Sequence, residues 1–326
     1  MAVLTQALRR RWRRDAMVTA VTALSAGAAS DTFAVDVALN EELRSLIFQR
    51  SPSGGPVEGA LPKYVQARLQ RRVQEHGLPV AEVVCILEPE DRLGQGFLMQ
   101  RVAGESLAPK YLRDDTFAPA RAVMAQQCGS ILARLHALPT DLFKDLPLAR
   151  ASTTDQIARL EAMYRGFDVD LPVFELAFSW LKRHVPPPVG TALVHGDFRS
   201  GNFLVQPAEG IVAVLDWELA HIGDPLEDLG WLCVNSWRFG NWRLPVGGFG
   251  DREDLYAAYQ AAGGHIDRPA MWFWEIYGTL RWGLSCLQLA HQHLSGSVVS
   301  VERAAIGRRV SETEIDLLHL IDKGTI

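Results

Sequence analysis

The sequence predicts an α+β chain with a small β-rich N-terminal lobe and a larger, mainly helical C-terminal lobe. Three observations carry this. Short β-type apolar runs and turn residues dominate roughly the first hundred positions. From about residue 121 onward the apolar residues recur mostly at helical spacing. One segment, 192–218, interrupts that helical pattern with two short apolar runs. The 326 residues suffice for two lobes, at about 150 residues per domain. With 48% apolar and 22% charged residues the composition is that of a globular protein, which excludes disorder, collagen and a bare coiled coil.

The elements follow in order. Residues 1–20 read as a helical extension, 21–100 as the N-terminal lobe and 101–326 as the C-terminal lobe. Arg9, Arg10, Arg11, Arg13 and Arg14 precede a mildly apolar stretch over 16–29, which superficially resembles a secretory leader. Thr19, Thr22 and Ser25 dilute that stretch and Asp15 stands at its mouth, so a cytoplasmic protein is expected. Strands are expected over 33–37 and 46–48, followed by the loop SPSGGPVEG. Leu61, Val65, Leu69 and Val73 recur every four residues and predict a helix over 61–75. Residues 83–87 and 97–102 read as strands joined by a polar turn, and the joint between lobes falls near 99–105. A helix over 121–137 puts Met124, Cys128, Ile131, Leu132 and Leu135 on one side.

Global properties exclude several function classes. The net charge of −5 lacks the basic footprint of a nucleic-acid binder. No uncharged apolar run reaches the roughly 20 residues that span a bilayer, so no membrane association is expected. Cys85, Cys128, Cys233 and Cys286 are scattered without a CxxC pair, which fits buried thiols in a reducing compartment. No internal repeat of 20–50 residues is visible.

The chemistry concentrates in TALVHGDFRSGNFLVQPAEGIVAVLDWELAHIGDPLEDLGW. Residues 204–206 and 211–215 are short strands and PAEG supplies a turn, so a hairpin is expected. Folding it back sets Asn202 roughly opposite Asp216. An amide oxygen beside a carboxylate is a hard-oxygen pair of the kind Mg²⁺ takes, with water and phosphate completing its shell. Asp197 lies in the same loop, close enough to face whatever the metal holds, with the Arg199 cation beside it. Asp and Asn are also common turn formers, and any one of the three reads equally well that way. All three at this spacing do not. Downstream, Asp224, Pro225 and Glu227 read as a helix cap and capping box. Asp228 is left over from that cap, and His195 reads as a packed structural histidine rather than a base.

These residues resemble the aminoglycoside-phosphotransferase-like and choline-kinase-like small-molecule kinases, in particular the phosphotransferase branch associated with acyl-CoA dehydrogenases. HGDFRSGNFLV resembles their catalytic loop and VLDWELAHIGDPLEDLGWL their metal-binding strand end and following helix. Weaker echoes are LSAGAASDTF for the nucleotide loop and FLMQRVAG for the hinge, with LARLHAL and ERAAIGRRVSETEIDLL also familiar. The resemblance covers about residues 20–320 and is most specific over 195–229. It implies a protein-kinase-like two-lobed fold and an ATP- and Mg²⁺-dependent enzyme that moves the γ-phosphoryl group to a hydroxyl of a small molecule. Asp197 is then the base, Arg199 steadies the transferring group, and Asn202 and Asp216 hold Mg²⁺. Gly27, Ser30, Gln100 and Val102 contact the nucleotide, His195 buttresses the loop, and Asp228 binds its backbone.

The N-terminal lobe departs from that pattern. Such kinases carry a Lys or Arg on the third strand, oriented by a helix Glu. Here the strand reads SLIFQRS, and only one of Gln49 and Arg50 can face the cleft because strand side chains alternate. The register read from the sequence puts Gln49 there. Arg50 remains the candidate phosphate contact through a register shift. The helix over 61–75 offers Lys63, Gln66 and Gln70, with no Glu before Glu75. Seven of the nine tryptophans follow Asp197, as core aromatics or as the walls of an acceptor pocket. Arg281, on an apolar helix, awaits an anionic substrate or a partner carboxylate. The acceptor expected is a hydroxyacyl thioester, or an aminoglycoside- or choline-like amino alcohol. The competing reading is a pseudokinase-type nucleotide-binding module without turnover. A metallophosphoesterase would need several more His and Asp ligands than the motif supplies.

Overall fold

Alternation along the chain builds the small lobe. The computed structural model describes residues 1–24, 30–40, 42–52 and 59–323. Strands β1 (Ala16–Ala23), β2 (Asp31–Leu39), β3 (Glu42–Arg50), β4 (Val83–Ile86) and β5 (Gly96–Gln100) form one antiparallel sheet in the order β1-β2-β3-β5-β4. Every second side chain of β2, at Val35, Val37 and Leu39, is buried on one face. Helix α1 (Ala2–Arg11) lays Leu4, Ala7 and Leu8 on that face beside Val18, Leu46 and Leu98. Each such fully buried Leu or Val contributes about 1.5–3 kcal/mol. The arginines that mimic a leader are engaged: Arg9 Nε donates to the Ala16 carbonyl at 2.7 Å, while Arg10 (2.8 Å) and Arg11 both bind Asp91. The expected extension over 1–20 is therefore part of the small lobe, since β1 begins at Ala16 and α1 covers the sheet.

Helix α2 (Lys63–Glu75) covers the other face. Ala67 meets Val83, Phe97 and Met99 of the sheet, while Val65, Leu69 and Val73 join the core of the large lobe. The helix starts two residues later than its apolar period suggests, because Pro62 holds an extended ψ of 145° ahead of it. Its approach is pinned at Leu61, whose N–H donates to the Glu218 carbonyl at 2.7 Å.

The β2–β3 register corrects one expectation. Asp31 pairs with Arg50 and Thr32 with Gln49. Alternation sends Gln49 into the interlobe cavity with Thr32, and Arg50 away from it. Arg50 instead binds Asp31 (Nε to Oδ2 at 3.1 Å) and stacks on Phe33 at 5.3 Å from the ring centre. No register shift brings it to the cleft. Gly27, the other expected contact in the β1–β2 loop, lies outside the described residues.

After β5 the chain crosses to the large lobe and anchors at once: Glu105 exchanges two backbone hydrogen bonds with Val205, at 2.9 and 3.0 Å. The large lobe comprises α3 (Ala108–Arg113), α4 (Ala118–His136), α5 (Thr153–Arg165), α6 (Pro172–Arg183), α7 (Leu226–Cys233), α8 (Arg252–Ala261), α9 (Arg268–Leu294), α10 (Val301–Gly307) and α11 (Val310–Lys323). The expected helix over 121–137 is α4, with Met124, Cys128, Ile131, Leu132 and Leu135 all buried. Two short ribbons interrupt the helices: β6 (Ala192–Val194) with β9 (His221–Gly223), and β7 (Phe203–Gln206) with β8 (Gly210–Val214). The second is the predicted hairpin. All four cysteines are buried and free, and among the described residues no helix is long and apolar enough to cross a membrane.

Candidate active site

The loop from β6 to β7 is held open by its neighbours rather than by its own residues. Gly196 takes φ +79°, and a Cβ there would collide with the Leu219 carbonyl oxygen. Asp228, wholly buried on α7, receives the His195 N–H (2.7 Å) and the Gly196 N–H (2.9 Å). His136, at the end of α4, bonds the same carboxylate at 3.2 Å and the Tyr259 hydroxyl at 2.9 Å. Burial alone would raise the Asp228 carboxyl, but His136 and the loop amides bring it below the ordinary aspartate value. Arg281 donates to the Gly196 carbonyl at 2.9 Å and lies 3.6 Å from Glu227. It is a loop brace with a carboxylate partner, not a free anion receptor. Glu227 likewise builds no capping box: its buried carboxylate binds His221 and Gln156, both at 3.0 Å.

His195 spends both ring nitrogens on the loop. Nε2 donates to the Leu215 carbonyl at 3.0 Å and Nδ1 accepts the Asp197 N–H at 3.2 Å. Burial lowers its pKa, which keeps the ring neutral, packed 4.5 Å from Trp217.

Asp197 is 8% exposed and receives three side-chain donors. Trp231 Nε1 (2.8 Å) and Arg199 Nε (2.9 Å) reach Oδ1, and Asn202 Nδ2 (2.6 Å) reaches Oδ2. Arg199 is steadied by the Trp237 ring, 4.4 Å below its guanidinium. Trp237 packs at 5.0 Å on Trp231 and 4.7 Å on Trp282, so these three tryptophans form one cluster beside Asp197. Of the other four late tryptophans, Trp217 packs on His195 and lines the interlobe cavity, Trp274 is core, Trp272 donates to the Leu320 carbonyl, and Trp242 is exposed.

The hairpin closes the site. Phe203 pairs with Val214, and the Leu215 N–H donates to the Asn202 carbonyl at 2.8 Å, which sets Asp216 beside Asn202. Asp216 adopts φ +64°, a conformation that costs an L-residue energy but suits Asp better than most, and faces the cavity. Enclosure by the cleft walls, then the Asp197 charge opposite, raise its carboxyl above the usual range. Glu218, in the next turn, is pushed up to about 7 by burial and by Asp216, and its Oε2 has no hydrogen-bond partner. Carboxylates crowded together in this way suit a cation. Asn202 commits its Nδ2 to Asp197 and so turns Oδ1 outward. Among the described residues no trio of His, Cys, Asp or Glu forms a metal cage. One amide oxygen and one carboxylate is the donor set of a Mg²⁺ ion shared with phosphates, so the residues present fit that ion.

These side chains line one end of a cavity of about 600 Å³ between the lobes. Ser30, Gln49, Gln66 and Gln70 line its small-lobe wall, with Gln100, Arg101 and Val102 at the hinge. Of the expected contacts, Ser30, Gln100, Val102, Asp197, Arg199, Asn202 and Asp216 share this cavity, while Arg50 is absent from it. Sequence reasoning missed Trp231, His136, Glu218 and the role of Lys63. For His136 and Trp231 the signal was a side chain with a polar atom at a position where helical spacing calls for burial.

The sequence model of the phosphotransferase enzyme family matches residues 20–272. Acyl-CoA dehydrogenase family member 10 of Mus musculus is 28% identical over 202 residues, 59% of this chain and 18% of that protein. Acyl-CoA dehydrogenase family member 11 of Homo sapiens is 26% identical over 226 residues, 66% of this chain and 28% of that protein. The chain thus spans less than a third of the length of these relatives. Among solved structures, a putative aminoglycoside phosphotransferase from Ralstonia eutropha superposes with a TM-score of 0.79 at 20% identity, covering 99% of this chain and 98% of that one. Spectinomycin phosphotransferase in complex with ADP and spectinomycin superposes at 0.63 and 12% identity, covering 97% of each chain.

Proposed function

This chain belongs to the phosphotransferase enzyme family, and from that premise we propose that it is an ATP- and Mg²⁺-dependent kinase that transfers the γ-phosphoryl group to a hydroxyl of a small molecule. The observation that carries the reading is the convergence of Asp197, Asn202 and Asp216 at one end of the interlobe cavity, with the hinge residues Gln100 and Val102 at its edge. Asp197 receives the proton of the acceptor hydroxyl, held in aim by Trp231, Arg199 and Asn202. Such a base contributes about 10²–10⁴-fold. Arg199 lines the cavity beside Asp197 and offers N–H groups not bonded to that carboxylate to the transferring group. Asn202 Oδ1 and Asp216 would hold Mg²⁺, which when bound supplies charge neutralisation to the phosphates.

The acceptor we favour is a hydroxylated acyl thioester. On the side of the tryptophan cluster the cation at the cavity beside Asp197 is Arg199, Arg281 being committed to the loop and Glu227, which suits an anionic or apolar acceptor better than a cationic amino alcohol. Relatives that carry the name acyl-CoA dehydrogenase point the same way. The buried free thiols suit the cytoplasm.

Thermal unfolding with ATP, with and without Mg²⁺, tests the nucleotide site. Ligand at 100 times its dissociation constant adds about 2.7 kcal/mol, a rise of about 4 °C at an unfolding entropy near 2.1 cal/mol/K per residue. A Mg²⁺-dependent rise is expected, followed by ADP release on addition of a hydroxyacyl thioester. No rise at millimolar ATP removes the kinase reading. A rise without turnover on any hydroxyl acceptor favours the non-catalytic module, which the uncharged Gln49 in the cleft would suit.

A further inference from the structure

Among the described residues, the small lobe places no cation where the third strand meets the cavity. Gln49 faces the cavity, Arg50 faces away and is paired with Asp31, and Gln66 of α2 contributes a second neutral amide to the same wall. A nucleotide triphosphate placed there would meet no positive charge from β3. One buried cation stands close by. Lys63 opens α2 and is 3% exposed, yet among the described residues no carboxylate lies within hydrogen-bond distance of it. Its ammonium donates to Ser30 Oγ at 2.5 Å and Gln66 Oε1 at 3.1 Å, both neutral, and the nearest carboxylate oxygen, Glu218 Oε2, is 4.0 Å away. Ser30, Gln66 and Glu218 all line the cavity, so the ammonium sits one hydroxyl behind its surface.

That placement is costly for a residue with only a structural role. Lysine is almost never fully buried without a paired anion. At the first residue of a helix the positive charge also opposes the macrodipole, and no acidic residue in the first turn of α2 compensates. Burial lowers the Lys63 pKa, and only the more distant Glu218 and Asp216 charges act against that. An anion arriving beside Ser30 relieves all of this.

Resting on the kinase reading above, we propose that Lys63 is the cation that the small lobe presents to the nucleotide phosphates, supplied from the first turn of α2 in place of the third strand. A phosphate oxygen takes the acceptor position that Ser30 Oγ now fills. The Leu61–Glu218 backbone bond ties the start of α2 to the segment carrying Asp216, so this cation and the metal-facing carboxylate are held in one register.

The test compares affinities for ATP with Mg²⁺ and for adenosine by calorimetry, in the wild-type chain and in Lys63→Met. Methionine keeps the length of the stem and removes the buried charge, so the variant is expected to fold with an unliganded melting temperature no lower than wild type. Lys63→Gln serves as a second variant should Met perturb the lobe. The expected result is an ATP affinity reduced roughly 10- to 100-fold, the loss of a charge-assisted contact, with adenosine binding unchanged. Unchanged ATP affinity overturns the proposal alone. So does an equal loss for ATP and adenosine, which would mark Lys63 as a structural prop. A wild-type chain that binds neither ligand overturns the kinase reading itself, and the proposal with it.

Discussion

Trp231 gives its indole N–H to the Oδ1 of Asp197 at 2.8 Å, from a helix that begins ten residues after Asp216. The same carboxylate is touched by Arg199 and Asn202, so the orientation of the proposed base depends on three donors of different kinds. Trp231→Phe keeps the ring in its cluster and deletes one donor. A hydrogen bond to a charged group contributes about 1.5–3 kcal/mol, so kcat should fall roughly 10- to 100-fold with ATP affinity unchanged. Steady-state kinetics beside calorimetry check this, and a fall in both would move Trp231 from aiming the base to shaping the nucleotide site.

Asp197→Asn should reduce turnover by about 10²–10⁴-fold while nucleotide binding persists. Single-turnover measurements with labelled ATP read the chemical step directly. Wild-type rates in this variant would take Asp197 out of the base role.

Asp216→Asn should abolish the Mg²⁺-dependent part of the thermal shift with ATP and spare the part seen without metal. The neutral amide also relieves the crowding with Asp197 and Glu218, so the unliganded variant should melt no earlier than wild type. A retained Mg²⁺ effect would place the metal elsewhere.

Asp228→Ala leaves two loop amides and His136 without their shared acceptor in a fully buried position. Leaving a buried donor without its acceptor costs about 1–3 kcal/mol for each group, so urea unfolding should move to markedly lower concentration. A small change would mean the loop is held mainly by Arg281 and His195.

Stability should also respond to pH through His221 and Glu227. Burial disfavours the charged imidazole, but Glu227 at 3.0 Å outweighs it, and the net His221 pKa stands above its ordinary 6.5. Its contribution is therefore complete below pH 6.5 and is lost as pH rises through the raised value. Glu227, opposed by its own burial but lowered overall by His221 and Arg281, contributes above pH 4.5 and loses that as pH falls. Melting temperature should decline as pH rises above 6.5, and His221→Gln should flatten that decline. An equal slope in the variant would assign the decline to other groups.

Much of the active end was legible because its parts are neighbours in sequence. Asn202 and Asp216 flank one hairpin, and two short apolar runs with a PAEG turn suffice to set them side by side. The apolar periods of α2 and α4 likewise mark which faces are buried, since burial is what enforces the 3.6-residue repeat. Strand alternation limits the cleft to one of Gln49 and Arg50, and the observed β2–β3 pairing puts Gln49 there, against the expectation of Arg50 as phosphate contact. The partners of polar groups were not legible. Asp224, Pro225 and Glu227 fit a capping box in sequence, yet only Asp224 serves the helix start, because His221 and Gln156 claim Glu227 across the fold.

The sequence by itself determined the two-lobed α+β architecture, the hairpin and the trio Asp197, Asn202 and Asp216, all of which follow from local period and spacing. Tertiary structure alone decided which residues aim Asp197, what braces its loop and where the buried cation of the small lobe lies. Trp231 reaches Asp197 across 34 positions, His136 reaches Asp228 across 92, and Lys63 reaches Ser30 across 33. Periodicity tells a side chain to be inside or outside. A buried polar atom must also find its partner, and that depends on how whole elements pack.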